Sequence, residues 1–344
     1  MNAGAWAIVD LLVGRYAFGE VSAAVAEGLI TGPDHRLAQI QQLCAFGQRL
    51  LDLDAEDFGE PDAATDANVD HAVADRVHGD AVPAPLVRRS LAARMPQSPY
   101  ERNRGALGSL RPAFALWLEV IGARWARRQT SPLVATLHII SEYLPLLAWE
   151  PMLGHAADPL RMPASVAGLG SRWGELDDDV CPHSRTLKSA AGRSLRVAGE
   201  PDAGWQSYLD RQHSLVSAAL GFCAAQCRTP CSVLTRHPRD ERAELESRCR
   251  TAQSFTDSAL IQLRHSAPVG HGFGVPSRRE VLDVWMQTRG HLGAREPAVL
   301  EPDGFVLPGL PSLLSTLAGA PITPDTLIAD TAAELHRALR TLES

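Results

Sequence analysis

Apolar residues recur every three or four positions along most of this chain, and that spacing restricts its possible folds more than any other feature. Between residues 36 and 53 the apolar side chains fall on one helical stripe, formed by Leu37, Ile40, Leu43, Phe46, Leu50 and Leu51. Strict alternation of apolar and polar residues, the pattern of a half-buried strand, is nearly absent. We therefore predict an all-α fold.

The same periodicity predicts the order of the helices along the chain. Expected helices span 4–30 and 36–53, begin at Pro112, run from Ser131 to Leu147, begin again at Glu150-Pro151, and span 205–228, 239–263 and 324–342. Segments rich in proline, glycine or acidic residues are predicted to be connectors: 54–82, 83–111, 174–203 and 295–323. The predicted division is an N-terminal helical region with an acidic connector, 1–111, and a helical domain, 112–344.

Charge and targeting signals narrow the possible partners. The formal net charge is −7 and no basic patch dominates, so we expect no nucleic-acid partner. The N-terminal segment lacks a basic region and carries Asp10 inside its apolar run, and no apolar stretch approaches the length of a membrane span. Six cysteines in 344 residues do not form a disulfide framework. These features predict a soluble, cytoplasmic protein with reduced thiols.

Residues 260–289 concentrate the candidate chemistry. An apolar helical end is followed by Arg264 and His265, then by a glycine loop at 270–274, and then by Ser277 at the start of an amphipathic helix. Glycines permit close backbone approach to a ligand, and a histidine at a helix end can ligate a cofactor metal. An ordinary helix–turn–helix with two solvated histidines would have the same pattern.

Histidines and cysteines elsewhere are weaker candidates. His138, His155 and His213 each lie in or beside an apolar helical segment, where a core histidine and a proton-transferring histidine look alike. Three cysteines lie four residues apart but lack the paired spacing of a zinc site, so small buried residues are the favoured interpretation: Cys223, Cys227 and Cys231. Common hydrolase and nucleotide-binding motifs are absent from the sequence.

Residues 260–289 resemble the C-terminal heme segment of the histidine-ligated heme-dependent aromatic oxygenases. This superfamily includes tryptophan and indoleamine 2,3-dioxygenases, monodechloroaminopyrrolnitrin synthase and bacterial heme tyrosine hydroxylases. Its members have an arginine-bearing helix with the proximal histidine, a glycine-rich loop, and a serine or threonine that opens an apolar helix. Two further segments resemble the family in type and order: 149–173 and 213–220. The helix at 112–118 loosely resembles an early helix of the tryptophan enzymes.

The resemblance implies a large helical bundle of the indoleamine dioxygenase type, with 112–344 as its heme-binding domain. The implied cofactor is non-covalent heme b, because Val269 stands where one subgroup has a tethering cysteine. The implied axial ligand of the iron is His265. His271 is the alternative ligand, because Pro268 comes only three residues after His265.

The resemblance also implies roles around the cofactor. Arg264 would hold a heme propionate or a substrate carboxylate, and Trp173 would line the cofactor pocket. The candidates for catalysis on the distal side are His213, His155 and Ser217. The candidates for substrate binding are Gly272, Phe273, Gly274, Ser277 and Trp117.

The implied activity is oxygen insertion into the ring of an aromatic amino acid or a close derivative, in specialised metabolism such as antibiotic biosynthesis. Tyrosine-type hydroxylation and tryptophan-type or indole-type oxidation are both within the family's reach, with dioxygen or hydrogen peroxide as oxidant. Hydroxylation is slightly favoured, because several histidines could activate peroxide on the distal side.

Two other classes of function stay open. A non-catalytic helical protein that binds a partner or a small ligand would share the absence of enzyme motifs and the acidic connector. A heme sensor would bind the cofactor without turnover. The proline-rich segment 295–323 could be the docking arm of a homo-oligomer or a lid.

Overall fold

The fold is described from a computed structural model. The structure describes residues 3–53, 81–162, 209, 216–218, 220–221, 224, 234, 237–266 and 274–342. Within these residues there are twelve α-helices, one 3₁₀ helix and no strand, which confirms the predicted all-α class. The helices are α1 (Ala3–Gly14), α2 (Phe18–Ala26), α3 (Asp34–Asp52), α4 (Ala84–Ala93), α5 (Gly105–Gly108), α6 (Arg111–Ala126), α7 (Thr130–Leu153), α8 (Arg239–Thr256), α9 (Ala259–Ser266), α10 (Arg278–Gly293), the 3₁₀ helix (Pro297–Leu300), α11 (Leu310–Ala318) and α12 (Leu327–Arg340).

The central helix, α7, runs through two prolines at which the sequence predicts helix boundaries. It continues without interruption from Thr130 to Leu153, with Pro145 and Pro151 inside it. The prediction of two separate helices was therefore wrong. Each proline removes one N–H donor from the helix ladder. The helix persists because its apolar side chains are buried on several sides and neighbouring residues bind carbonyl groups beside Pro145.

Two segments that were predicted to be irregular contain helices: 83–111 contains α4 and α5, and 295–323 contains the 3₁₀ helix and α11. α4 lies within 83–111 and has proline in its first turn, and α11 within 295–323 also has proline in its first turn. Proline is compatible with a first turn, because the N–H group there has no intrahelical partner. These prolines start helices and do not break them, so the prediction of irregular structure was wrong there.

Two predicted helices are each divided in the structure. The predicted helix 4–30 is α1 and α2, and Tyr16 between them has a positive φ of 57°. The predicted helix 239–263 is α8 and α9, which are separated by residues 257–258. In both cases the apolar spacing continues across the break, so periodicity alone could not locate it.

One main hydrophobic core includes buried apolar side chains from both sides of residue 111, and the predicted domain boundary there stays a prediction. α7 packs against α6, α8, α9 and α11, while α12 packs against α3. Large side chains that are fully buried include Trp149, Trp285, Phe114 and Phe255. Burial of one such side chain contributes roughly 1.5–3 kcal/mol. The core therefore fixes α7 firmly at the centre of the described helices.

One helix meets the length and composition of a membrane span. α7 has 24 residues and is apolar enough to cross a bilayer, which the sequence inspection did not predict. In its most apolar window 56% of the residues are buried inside the protein, and the core helix of a soluble protein passes the same test. The helix is therefore weak evidence for a membrane.

Candidate functional site

Pro145, inside α7, leaves one backbone carbonyl of that helix without its intrahelical hydrogen-bond donor. Pro145 has no N–H group, so the Ser141 carbonyl, four residues earlier, lacks its intrahelical donor. The Thr256 hydroxyl of α8 shares its hydrogen between that carbonyl, at 3.3 Å, and Ala252 O in its own helix, at 3.1 Å. The Ser217 hydroxyl donates to the next carbonyl, that of Glu142, at 2.7 Å. We call residues 138–143 the acceptor turn.

Three polar side chains meet beside the acceptor turn. The guanidinium group of Arg264, in α9, contacts Nε2 of His138. The same nitrogen lies 3.1 Å from Oε1 of Glu142, one helical turn further along α7. One imidazole nitrogen can accept a hydrogen bond from the guanidinium or donate one to the carboxylate, but not both. The Glu142 side chain is 44% exposed, so this network borders solvent.

Aromatic side chains pack at the same level of α7. Trp117 of α6 is buried, and its ring lies 4.7 Å from that of Phe114 and 5.4 Å from that of Tyr143, between centroids. Both pairs are tilted, as favourable aromatic pairs are. Trp117 is therefore a rigid apolar element next to the acceptor turn.

The structure brings three of the predicted site residues together. Arg264, Ser217 and Trp117 come from separate parts of the chain, and each contacts a residue of the acceptor turn. His265 follows Arg264 within α9, and its side chain lies outside the described residues. Ser217 and Arg264, which come from the segments predicted as the distal and proximal sides of a cofactor site, therefore contact the same turn of α7.

His155 lies beyond the far end of α7. Fifteen residues separate His138 from Leu153, a rise of about 22 Å, and His155 is in the loop that follows. Its Nδ1 accepts the N–H of Asp158 at 2.9 Å. Burial lowers the pKa of His155 to about 4, although the Asp158 charge opposes this shift. His155 is thus a neutral buried side chain at pH 7, and the structure does not bring it to the acceptor turn.

A buried ion pair fixes the loop around His155. The Arg104 guanidinium donates through Nε and Nη2 to the two carboxylate oxygens of Asp158, both at 2.9 Å. The Leu160 N–H donates to the same carboxylate at 3.1 Å. Asp158 has no exposed surface, and Arg104 is 9% exposed. This pairing is bidentate, so it restricts the orientation of both side chains.

Ser277 has a structural role at the start of α10. Its hydroxyl accepts the N–H of Glu280 at 3.2 Å, and the Glu280 carboxylate accepts the N–H of Ser277 at 2.7 Å. This capping box satisfies two N–H groups that the helix leaves without partners. Ser277 and Gly274 are both exposed, and their predicted role in substrate binding stays a prediction.

Several predicted residues lie outside the described part of the chain. They are the candidates Trp173, His213, His271, Gly272 and Phe273, together with the three spaced cysteines Cys223, Cys227 and Cys231. Two other cysteines, Cys44 and Cys249, are free and buried, and burial raises the pKa of each thiol to about 12. These two thiols are unreactive at neutral pH.

Sequence patterns did not single out Glu142, Tyr143 or Thr256. The spacing of His138 and Glu142, four residues apart on a helix, was a usable signal because such side chains are neighbours. Thr256 offered no such signal, since its partner Ser141 is 115 residues away in the chain.

A separate cleft of about 270 Å³ lies between α7 and α8, away from the acceptor turn. Its apolar lining residues are Ala148, Pro151, Met152 and Leu245. Two pairs of charged or polar side chains surround them, His237 with Glu241 and Arg248 with Glu244. Among the described residues, no group of three histidine, cysteine or acidic side chains could hold a bare metal ion.

Comparisons of this chain with protein family models, with curated proteins and with solved structures give no match.

Proposed function

We propose that the protein is a heme-dependent oxygenase that inserts oxygen into the ring of an aromatic amino acid or a close derivative. The observation that carries this proposal is the meeting of Arg264, Ser217 and Trp117 at the acceptor turn. The resemblance to the histidine-ligated oxygenases assigned these residues to cofactor binding, catalysis and substrate binding. Convergence on one turn of α7 is what a common site requires, because residues that act on one substrate must lie close together.

The residue types around the acceptor turn fit non-covalent heme b. Such a heme needs an axial imidazole, a cation for its propionates and apolar walls. His265 would supply the imidazole, with His271 as the alternative, and Arg264 would supply the cation. Trp117 would be part of the wall, together with Trp173 in the expected pocket. Bound heme would supply an iron atom that activates dioxygen or hydrogen peroxide.

The residues of the chain would position the substrate and control protons. Arg264 is the candidate partner for a carboxylate, because guanidinium and carboxylate groups pair bidentately. The Ser217 hydroxyl already donates to Glu142 O, so its oxygen offers lone pairs to a bound molecule rather than a proton. Trp117 would exclude water from one side of an aromatic ring.

The overall reaction balances without a separate reductant. With hydrogen peroxide, one oxygen atom enters the aromatic ring as hydroxyl and the other leaves as water. With dioxygen, cleavage of an indole ring takes up both oxygen atoms. We favour hydroxylation slightly and place the reaction in the cytoplasm, in a monomer or a homo-oligomer.

The absorption spectrum of protein expressed with added heme precursor tests the cofactor. We expect a Soret band in the wild type that is lost or shifted in His265→Ala, or in His271→Ala if that residue is the ligand. His291→Ala is the matched control, because His291 is an exposed histidine on α10. A colourless wild type, or an unchanged band in both ligand variants, would contradict the proposal.

Product analysis with isotopically labelled oxidant tests the reaction. Tyrosine and tryptophan are each incubated with ¹⁸O-labelled peroxide or dioxygen, and the products are analysed by mass spectrometry. Incorporation of label into an aromatic product supports the enzyme. A protein with a Soret band but no labelled product is instead a heme sensor.

The alternative is a non-catalytic helical protein that binds a small ligand or a partner. The cleft between α7 and α8 is the observation behind this alternative, because apolar and charged side chains line it together; its volume of about 270 Å³ suits a ligand smaller than those of most binding sites. Purified protein that stays colourless with added heme would support it.

A further inference from the structure

The cleft between α7 and α8 is lined by one face of each helix. On α8, Glu241, Leu245 and Arg248 follow one another at intervals of four and three residues, so they share the face turned toward α7. Glu241 and Arg248 are seven positions apart, a rise of about 10 Å, and the Leu245 side chain lies between them. The facing residues of α7 are apolar: Ala148, Pro151 and Met152.

The nitrogen-bearing side chains of the cleft are less exposed than the carboxylates. The Arg248 side chain is 14% exposed, whereas that of its partner Glu244 is 62% exposed. The same contrast holds for His237, at 19%, and Glu241, at 52%. An exposed carboxylate turns into water at little cost, because surface ion pairs contribute little to stability.

This difference in exposure determines which sign of charge the cleft accepts. A guanidinium group that is mostly out of water requires an anionic partner. An entering anion can replace Glu244 at Arg248, and Glu244 is then solvated. An entering cation would instead meet carboxylates that water already solvates, and it would leave Arg248 without compensation.

The guanidinium group of Arg248 is also positioned by the end of α11. Gly319, the C-cap of α11, has a positive φ, and a Cβ there would lie 2.7 Å from Nη2 and 3.0 Å from Nη1 of Arg248. Glycine therefore lets the guanidinium group lie directly against this backbone. The C-terminus of a helix stabilises a nearby cation, so Arg248 has a second favourable contact when Glu244 turns away.

The volume of the cleft limits the size of its ligand. About 270 Å³ corresponds to about nine molecules of liquid water, at roughly 30 Å³ each. A ligand of about eight non-hydrogen atoms has this size. Its carbon chain would lie against Leu245 and Met152, and its charged group would reach Arg248.

We propose that the cleft is a binding site for a small monocarboxylate with an apolar chain, whose carboxylate replaces Glu244 as the partner of Arg248. Guanidinium and carboxylate groups pair bidentately, which fixes the orientation of the ligand. The cleft is separate from the acceptor turn and its lining needs no heme, so this proposal does not rest on the oxygenase.

NMR of the full-length protein, labelled with ¹³C at the methionine methyl groups and titrated with sodium hexanoate, tests the proposal. Met152 lines the cleft, its signal is assigned with Met152→Leu, and the exposed Met286 of α10 is the internal reference. We expect hexanoate to shift the Met152 signal with a Kd of about 1 mM or lower and to leave the Met286 signal in place. Butanoate should bind about fourfold more weakly for each methylene lost. Hexylamine, which carries the opposite charge, should not bind.

Two variants of α8 should change the affinity for hexanoate in opposite directions. Arg248→Gln removes the charge and should weaken binding about tenfold or more. Glu244→Gln removes the competing carboxylate and should tighten binding. Arg250→Gln is the matched control and should leave the affinity unchanged, because Arg250 pairs with Glu246 at the same spacing on an exposed part of α8.

A Met152 signal that does not move with hexanoate, or that moves equally with hexylamine, would overturn the proposal. Unchanged affinity in Arg248→Gln, or weaker binding in Glu244→Gln, would overturn it as well. If Arg248→Gln does not fold, Glu244→Gln and the comparison of hexanoate, butanoate and hexylamine in the wild type decide the question. None of these results depends on a Soret band, so this proposal and the oxygenase can fail separately.

Discussion

Substitution of Asp158 by asparagine should be among the most destabilising single changes in this protein. Asp158 is fully buried, and both of its carboxylate oxygens accept hydrogen bonds from Arg104. Asparagine keeps the shape but offers one acceptor oxygen, and its NH₂ group faces a guanidinium N–H. The buried Arg104 charge is then uncompensated. Removal of one partner from a buried ion pair costs about 3–5 kcal/mol, a large part of a typical stability of roughly 5–15 kcal/mol.

Urea denaturation, followed by circular dichroism at pH 7, measures this cost. Asp283→Asn is the matched control, because Asp283 pairs with Arg279 at 3.6 Å and both side chains are mostly exposed. We expect the control to change the free energy of unfolding by less than about 1 kcal/mol. A double variant, Arg104→Met with Asp158→Leu, should be less destabilised than Asp158→Asn alone, since it leaves no buried charge unpaired; Arg161, which also pairs with Asp158, is half exposed.

A cost for Asp158→Asn that is no larger than that of Asp283→Asn would refute the reasoning. It would mean that water reaches Arg104 in the native state and solvates the guanidinium group. A double variant that is less stable than the single variant would show instead that the Arg104 hydrogen bonds to the Pro99 and Glu101 carbonyls, which the double variant also loses, outweigh the cost of the unpaired charge.

The depressed pKa of His155 predicts an acid-sensitive contribution to stability, which is full above pH 6.5 and is lost as the pH falls toward 4. This contribution to the free energy of unfolding is at most about 3 kcal/mol. It should be absent in His155→Asn, because the asparagine side-chain oxygen can accept the same Asp158 N–H but does not titrate. Denaturation midpoints measured at pH 4.5 and 7 give the difference. Ser277→Ala should lower the free energy of unfolding by about 1 kcal/mol, because the cap of α10 is lost. An unchanged unfolding temperature by calorimetry would show that the cap is unimportant. Gly309→Ala should destabilise the protein severely, because a Cβ there would lie 1.9 Å from the Val299 carbonyl oxygen. Gly304→Ala is the control: its Cβ would meet no atom within 4 Å, so it adds only the strain of a positive φ. Equal unfolding temperatures for the two glycine variants would contradict that comparison.

Local sequence rules predicted the elements whose boundaries depend on local chemistry. The stripe in 36–53 is α3, and the Ser277–Glu280 spacing is a complete capping box at the start of α10. The terminal helix α12 also lies where its periodicity indicated. In each case the residues that determine the element are its own neighbours in sequence, so the pattern was sufficient.

Elements that depend on distant partners were not predictable in the same way. α7 continues through Pro145 because the Thr256 hydroxyl, from another helix, binds the freed Ser141 carbonyl, whereas a local rule counts only the lost N–H. The contacts of the candidate site likewise join residues that are far apart in the sequence. Arg264 and Ser217 were singled out from residue patterns and resemblance, but their partners on α7, His138 and Glu142, are 126 and 75 positions away.

Two of the acceptors on the acceptor turn are the backbone carbonyls of Ser141 and Glu142, which no point substitution at positions 141 or 142 can remove. The donors, by contrast, are side chains of neighbouring segments, and they can be exchanged one at a time. Replacement of Ser217 by threonine or cysteine would therefore vary the chemistry of the candidate site while the path of α7 stays the same. An engineer who wishes to retune this region should alter what surrounds α7 and leave Pro145 in place.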